Sequence, residues 1–161
     1  MTNFLSFKGV VTTINNVNFD EGDQSGCHQF FTIENSQGEI VNFVVSPSTY
    51  FVGQVNIGDF VTGYYDGDLP VILIYPPQYQ AMVIVKEEQG QNVKVDYFNS
   101  QLLSSDNQLQ LNISPYTPIF LTNGVTFNQN PDNRDLIVIY RSTTFSIPAQ
   151  TSPDRIIVLC R

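Results

Sequence analysis

Polar and apolar residues alternate one by one through Gln108-Leu109-Gln110-Leu111-Asn112-Ile113, the pattern of a strand with one face buried and the other wet. Val41-Asn42-Phe43-Val44-Val45 keeps the same phase. Similar runs rich in Val, Ile, Phe, Tyr and Thr, broken at short intervals by Gly, Pro, Asn and Asp, fill most of the chain. They predict strands over 7–14, 28–34, 39–46, 60–65, 71–74, 81–87, 93–99, 108–114, 136–140, 143–148 and 155–160, and no helix. Ser36-Gln37-Gly38 and Ser105-Asp106-Asn107 supply turns. Asn123-Gly124 is the dipeptide suited to a hairpin that needs two positive φ angles. The longest irregular pieces are 15–26 and 123–133, both expected as surface loops.

The alternating stretches also resemble one another. Val41-Asn42-Phe43-Val44-Val45-Ser46-Pro47-Ser48-Thr49 returns 68 positions later as Leu109-Gln110-Leu111-Asn112-Ile113-Ser114-Pro115-Tyr116-Thr117, and Ser-Pro-x-Thr closes the strand both times. Asp59-Phe60-Val61-Thr62-Gly63-Tyr64 aligns with Asp135-Leu136-Ile137-Val138-Ile139-Tyr140 at a spacing of 76, which carries Pro77 onto Pro153. Self-similarity of this kind signals repeated supersecondary units, each covering the apolar face of its neighbour. The expected fold class is therefore all-β, with two homologous half-repeats forming small antiparallel barrels or a sandwich. The repeats are expected over 1–88 and 89–161, the second closely packed on the first. The seam falls at Glu87-Glu88-Gln89-Gly90-Gln91-Asn92, where the apolar pattern lapses. The succession strand, strand, turn, strand, Gly-Asp, strand in 7–86 resembles that of a five-stranded oligonucleotide/oligosaccharide-binding (OB-like) barrel, an analogy of topology that carries no function.

Composition narrows the classes of partner. Charged residues make up 14% of the 161 residues, against about 25% in an ordinary soluble domain, so Asn, Gln, Ser and Thr must build the wet surface. Seven Lys and Arg face fifteen Asp and Glu, for a net charge of −8. Nucleic acid is excluded as an expected partner, because phosphate binding draws on clustered cations. No run of about 18 apolar residues offers a spanning helix, and the start Met1-Thr2-Asn3-Phe4-Leu5-Ser6-Phe7-Lys8 has no secretory pattern. The expectation is no membrane insertion, with the compartment open and a spore or cell surface reached after release as one destination.

Reactive groups are sparse. His28 is the single histidine, and its neighbour Cys27 lies on the opposite face of a predicted strand, so a Cys-His dyad is not expected. No Gly-x-Ser-x-Gly elbow is present. Cys27 and Cys160, the two thiols, cannot close a zinc site with one histidine. They are read either as separate thiols or as a disulfide, within the chain or between subunits. Asp20-Glu21-Gly22-Asp23 and Asp66-Gly67-Asp68 could offer oxygens to calcium, but they lack the twelve-residue loop spacing, and solvated turns account for them. Asp59, Asp66, Asp68 and Asp96 are the carboxylates available for glycoside chemistry; the repeat instead reads Asp59 and Asp135 as scaffold. Among the aromatics, Tyr64, Tyr65, Tyr75 and Tyr79 stand near prolines, where flat rings can face a glycan or peptide. No catalytic residue, cofactor or metal is expected.

The stretches Val41 to Pro47, Gly63 to Gly67 through Pro76-Pro77-Gln78-Tyr79, Asn112-Ile113-Ser114-Pro115 and Ile147-Pro148-Ala149-Gln150-Thr151 resemble a family of small uncharacterised all-β proteins from clostridial-type bacteria. The resemblance spans most of the chain and implies no activity. The expectation is a non-enzymatic structural or assembly protein, self-associating as a homo-oligomer or filament in a bacterial surface layer, spore coat or fibre. The alternative is an OB-like binding module for a glycan or peptide.

Overall fold

Thirteen strands appear in the computed structural model, which describes residues 1–17 and 26–160. They are β1 (Phe4–Val17), β2 (His28–Glu34), β3 (Ile40–Val45), β4 (Tyr50–Val52), β5 (Phe60–Asp66), β6 (Gln78–Gln80), β7 (Val83–Lys86), β8 (Asn92–Phe98), β9 (Leu109–Leu111), β10 (Ile119–Leu121), β11 (Arg134–Tyr140), β12 (Ala149–Thr151) and β13 (Arg155–Leu159). No helix occurs among the described residues, and the class is all-β. The chain divides into two compact units, Phe4–Glu87 and Glu88–Arg161 joined by Met1–Asn3. The first three residues thus group with the later half, a placement that their polar sequence does not announce.

In the first unit β1 is long enough to pair with two neighbours, β2 through its C-terminal part and β5 through its N-terminal part. The register shifts between Val11 and Thr13, which marks a bulge where the strand bends. β2 pairs with β3, β3 with β6, and β7 with β5. Only Ala81 and Met82 separate β6 from β7. This short crossing segment is fully engaged: Ala81 N–H donates to Val44 O at 3.0 Å, Met82 N–H to Tyr64 O at 2.8 Å, and Tyr50 N–H to Met82 O at 3.0 Å. The pairings therefore run in a circuit, β1 to β2 to β3 to β6 and β7 to β5 and back to β1, the five-stranded order of an OB-like barrel. Its core gathers Val11, Phe31, Ile33, Val41, Phe43, Val45, Val61 and Ile84, the inward positions of alternating strands.

The second unit pairs its strands in the same succession. β8 pairs with β11, β11 with β13, β13 with β10 and β12 with β9. Where the first unit has β2, this one has only bridges from Phe98 to Ser104 and from Leu103 to Gln110. Phe98, Leu109, Leu111, Leu136, Val138, Ile156 and Val158 form its core. The Ser-Pro-x-Thr turns are alike in detail: Ser46 N–H donates to Thr49 Oγ1 and Ser114 N–H to Thr117 Oγ1, both at 3.0 Å. Such a loop folds because a threonine hydroxyl can take the backbone donor that the ending strand leaves over.

Several expectations are corrected. The barrels are not purely antiparallel, because β3–β6, β4–β7, β9–β12 and β10–β13 are parallel pairs. Each of these pairs contains a three-residue strand, too short to show periodicity. For that reason β4, β6, β10 and β12 are not among the strands that alternation predicts. Segments 71–74 and 143–148 are not strands; Pro70, Pro76, Pro77 and Pro148 deny them donors and fix φ at their flanks. β1 continues to Val17, beyond the start of the loop expected at 15, and residues 20–23 with their acidic cluster lie outside the described residues. At Asn123-Gly124 only Gly124 has positive φ, 88°. Leu121 N–H donates to Val125 O and Gly124 N–H to Leu121 O, so the hairpin closes through a longer turn with one left-handed glycine.

The spacing of 76 is also one residue too long. Gly63 stands opposite Ile84 on its core-facing side, and the matching ladder position opposite Ile156 is held by Val138. A one-residue slip would turn every side chain to the other face. Likewise Pro77 does not correspond to Pro153: the two cis prolines, Pro76 and Pro148, each lie just before the short strand that pairs in parallel, β6 or β12.

Close contacts lend themselves to two stability tests. A Cβ on Gly9 would lie 2.4 Å from Glu34 O, a backbone atom that cannot swing aside. Gly9→Ala should therefore cost about 1–3 kcal/mol, read as a lower urea midpoint; an unchanged midpoint would show that β1 and β2 need not approach so closely. In the second unit, Asp106 accepts from Ser104 Oγ (2.6 Å), Gln108 N–H (3.0 Å) and Lys94 Nζ. Desolvation pushes its pKa up, but the bonds from Lys94, Ser104 and Gln108 outweigh it and hold the carboxyl below its ordinary 3.8. Because the folded value is the lower one, this stabilisation is present above pH 3.8 and disappears as pH falls through the depressed value. Asp106→Asn should lower Tm at pH 7, and the difference from wild type should narrow as pH falls below 3.8, measured by circular dichroism.

Candidate functional site

β5 delivers the chain to Asp66 at the end of the first barrel, and β6 takes it back at Gln78. Asp66 Oδ1 accepts the Asp68 N–H at 3.0 Å, which tightens the exit turn. Beyond that turn, Leu69-Pro70-Val71-Ile72-Leu73-Ile74-Tyr75 is the longest exposed apolar stretch in the described chain. Leu69, Val71, Ile72, Ile74 and Tyr75 are all exposed, and Leu73 is 96% exposed. Single exposed hydrophobic residues are ordinary, whereas a contiguous run is a mark of interaction.

Under one side of this loop lie Tyr65 and Tyr79. Their rings stack with centroids 3.9 Å apart and planes 8° from parallel, and both pack against Phe43 at 6.0 and 6.2 Å. The pair forms because Tyr65 ends the inward row of β5, and β6 brings Tyr79 opposite Phe43 in the parallel ladder. Gly63 makes room for the Phe43 ring, whose nearest atom would be only 2.5 Å from a Cβ there. Burial, then a hydrogen bond to Tyr79 and the electrostatic effect of that neighbour, push the Tyr65 hydroxyl up to about 12. It stays protonated at all physiological pH. A cleft of about 190 Å³ opens here between Val44, Tyr65, Tyr79, Gln80 and the first residues of the loop. A second, about 340 Å³, runs along Val71 to Ile74 and is closed by Pro77, Gln78 and Tyr79.

Of the four tyrosines that the sequence singles out, Tyr65 and Tyr79 are therefore brought together. Tyr64 is on the alternate face of β5, and Tyr75 is exposed in the loop and lines neither cleft. The aliphatic run within residues 69–74 has the composition of a strand, and the flanking Pro70 and Pro76-Pro77 are the signal that marks it as a loop. Cys27 and Cys160 are both exposed thiols, one on each unit. His28 begins β2.

The carboxylates weighed for chemistry hold backbone and neighbours in place. Asp59 accepts from Asn56 N–H at 2.8 Å and pairs with Lys86 at 3.7 Å. Asp96 is buried and accepts from Ser105 Oγ (2.6 Å) and Tyr97 N–H (2.8 Å). Asp135, also buried, accepts from Thr2 Oγ1 and so ties the chain start to β11. A broad cleft of about 680 Å³ borders this point, between Tyr97, Arg134, Asp135 and Cys160. Arg134 is engaged there, its guanidinium 4.8 Å from the Phe127 ring centroid and its Nε donating to Asn130 O. Among the described residues no three His, Cys, Asp or Glu side chains converge as metal ligands.

The second unit has a counterpart to the apolar loop. Between β11 and β12, Phe145 and Ile147 are 106% and 89% exposed, and Ile147 precedes cis Pro148 as Tyr75 precedes cis Pro76. No known protein family matches the chain, and no curated protein matches it.

The raised Tyr65 value has a measurable consequence. Its folded pKa exceeds the unfolded 10.0, so the contribution of the neutral phenol is complete below pH 10 and is lost as pH rises through about 12. Alkaline titration at 295 nm should show two phenols ionising after the exposed tyrosines, Tyr65 and Tyr140, which burial also raises, and Tyr65→Phe should remove the one near 12 and flatten the loss of Tm above pH 10. A Tyr65→Phe profile that overlays the wild type would rule out the stacked pair as its source.

Proposed function

We propose that this chain is a non-enzymatic structural protein that assembles with copies of itself, of the kind that builds a bacterial surface layer, spore coat or fibre. The observation that carries this reading is the exposed apolar run Leu69 to Tyr75, displayed at the end of a barrel beside the short strand β6. Burial of such a run is favourable by roughly 25 cal/mol for each Å² of apolar surface removed from water. Strands β4, β6, β10 and β12 end their sheets and offer further backbone groups to a neighbour. Low charge supports the same reading, since lysines on edges are a usual guard against joining of chains, and Lys8, Lys86 and Lys94 are the only three. Cys160, an exposed thiol, could join neighbours by a disulfide in an oxidising setting.

Multi-angle light scattering over a concentration series, with negative-stain microscopy, tests this reading. Average mass should rise with concentration, and in the absence of reductant part of the assembled material should resist dilution. A monodisperse monomer at high concentration, with and without reductant, would remove the proposal.

A second reading rests on the cleft over Tyr65 and Tyr79 in a barrel of OB-like order: a module that binds a glycan or peptide. The two rings spend one face each on the other, so only an edge-on or single-face contact is left for a ligand. Ligand-dependent thermal stabilisation across a glycan and peptide panel, lost in Tyr79→Ala, would favour it over assembly.

A further inference from the structure

Four asparagines fold back on their own backbone in the same way, each side-chain Oδ1 accepting the N–H two residues on. Gln37 N–H donates to Asn35 at 3.0 Å, Gln101 N–H to Asn99 at 2.9 Å, Val125 N–H to Asn123 at 3.0 Å and Asp132 N–H to Asn130 at 3.1 Å. Such a bond pins a turn. It also draws electrons from the amide carbon Cγ, and sets a donor on the oxygen that carries charge when a nucleophile adds to that carbon. The nearest nucleophile is the backbone nitrogen of the next residue, whose attack closes a five-membered ring.

That next residue is what differs. Ser36 and Ser100 carry a Cβ beside the nitrogen, Pro131 has no N–H to give up, and Gly124 has neither obstacle. Asn35 and Asn99 are also half-buried, and their Oδ1 atoms take a second backbone donor, from Glu39 at 2.9 Å and Leu103 at 3.1 Å. Asn123 and Gly124 are both exposed, and the space around Gly124 is open. Gly124 N–H donates to Leu121 O at 3.0 Å. This bond lies at the tip of a turn in water, where opening costs far less than in a core strand.

We infer that the turn at Asn123-Gly124 is a site of self-modification, where the chain converts Asn123 to aspartate and isoaspartate through a cyclic imide. In the first step hydroxide takes the Gly124 amide proton, the nitrogen bonds to Asn123 Cγ, and the Cγ–Nδ2 bond breaks. Ammonia leaves with a proton from water. In the second step water adds to either ring carbonyl. Attack at Cγ restores the backbone with an aspartate, and attack at the backbone carbonyl carbon leaves the chain running through the side chain, longer by one methylene. Either product adds a negative charge to a chain whose net charge is −8. The longer backbone falls where Leu121 N–H donates to Val125 O at 2.8 Å and Phe120 bridges Thr126, so isoaspartate unsettles the pairing that backs the edge strand β10. The chemistry is the same whether or not copies of the chain assemble.

The test holds the purified full chain in warm, mildly alkaline buffer and samples it over days by chymotryptic mapping with mass spectrometry. Asn123 should gain one mass unit at least about tenfold faster than Asn35 and Asn99, and Asn130, located by fragmentation, should not change. The altered peptide should separate into aspartate and isoaspartate forms. Asn123→Gln, which would have to close a six-membered ring, should abolish the gain at this position, with unchanged thermal melting to show that the variant folds. Conversion of Asn123 no faster than that of Asn35 and Asn99 would overturn the inference. Aspartate as the sole product would show direct hydrolysis by water and overturn the cyclic route.

Discussion

Closure of each barrel depends on one stretch of backbone serving two neighbours in turn. In the first unit the chain from Gln78 to Lys86 leaves the β3 ladder at Ala81 and enters those of β4 and β5 at Val83. Changing partners ordinarily strands amide groups away from water, at a cost comparable to lost hydrogen bonds. Here the crossing residues are met from three sides by Val44, Tyr64 and Tyr50, and Thr49 Oγ1 donates to Ala81 O at 2.8 Å. That threonine also takes the Ser46 N–H. The Ser-Pro-x-Thr motif therefore both ends β3 and secures the strand that closes the circuit, a role that its position at a turn conceals.

This closure also fixes where apolar surface is shown. β6 runs parallel to β3 and therefore opposite to β5, which puts both ends of the connection from β5 at the same end of the barrel. The intervening residues 67–77 are raised over the barrel end, with the stacked Tyr65 and Tyr79 at their base. The second unit has the same parallel pair, β9 with β12, and a shorter return through 141–148. Both returns finish in a cis proline. A shared pairing scheme thus displays two apolar loops of different length, one forming a cleft and the other a projection.

Much of this architecture is legible in the residues. The inward triplets Val41, Phe43, Val45 and Leu109, Leu111, Ile113 all lie in or against their cores, because alternation is a direct image of one-sided burial. Strands β2, β3, β5, β8 and β11 are placed within a residue or two for the same reason, whereas β1 runs three residues further at each end than the expected 7–14. Three-residue strands such as Tyr50–Val52 and Ile119–Leu121 leave no periodic trace, and their parallel partners are distant in sequence. Val71 to Ile74 mislead in the opposite direction: hydrophobicity reports a wish to leave water, and says nothing about whether the covering surface belongs to the same chain. The repeat spacing comes out one too long because Leu136-Ile137-Val138-Ile139 is apolar at every position and buried on both faces, so composition cannot set its phase.

The polar groups show why the sequence offers so many plausible sites and so little chemistry. Asp59, Asp66, Asp96 and Asp106 each receive a backbone N–H, and three of the four also receive a serine hydroxyl or a lysine. A carboxylate committed in this way fixes the turn or neighbour that it bonds. Asp106 makes the point directly, since its bonds prevail over its burial. Tyr65, the group displaced furthest from its ordinary titration, is held protonated by burial and by its contact with a second tyrosine. In these four carboxylates charge is used within each barrel to set turns, while the exposed stretch from Leu69 to Tyr75 is without any charge.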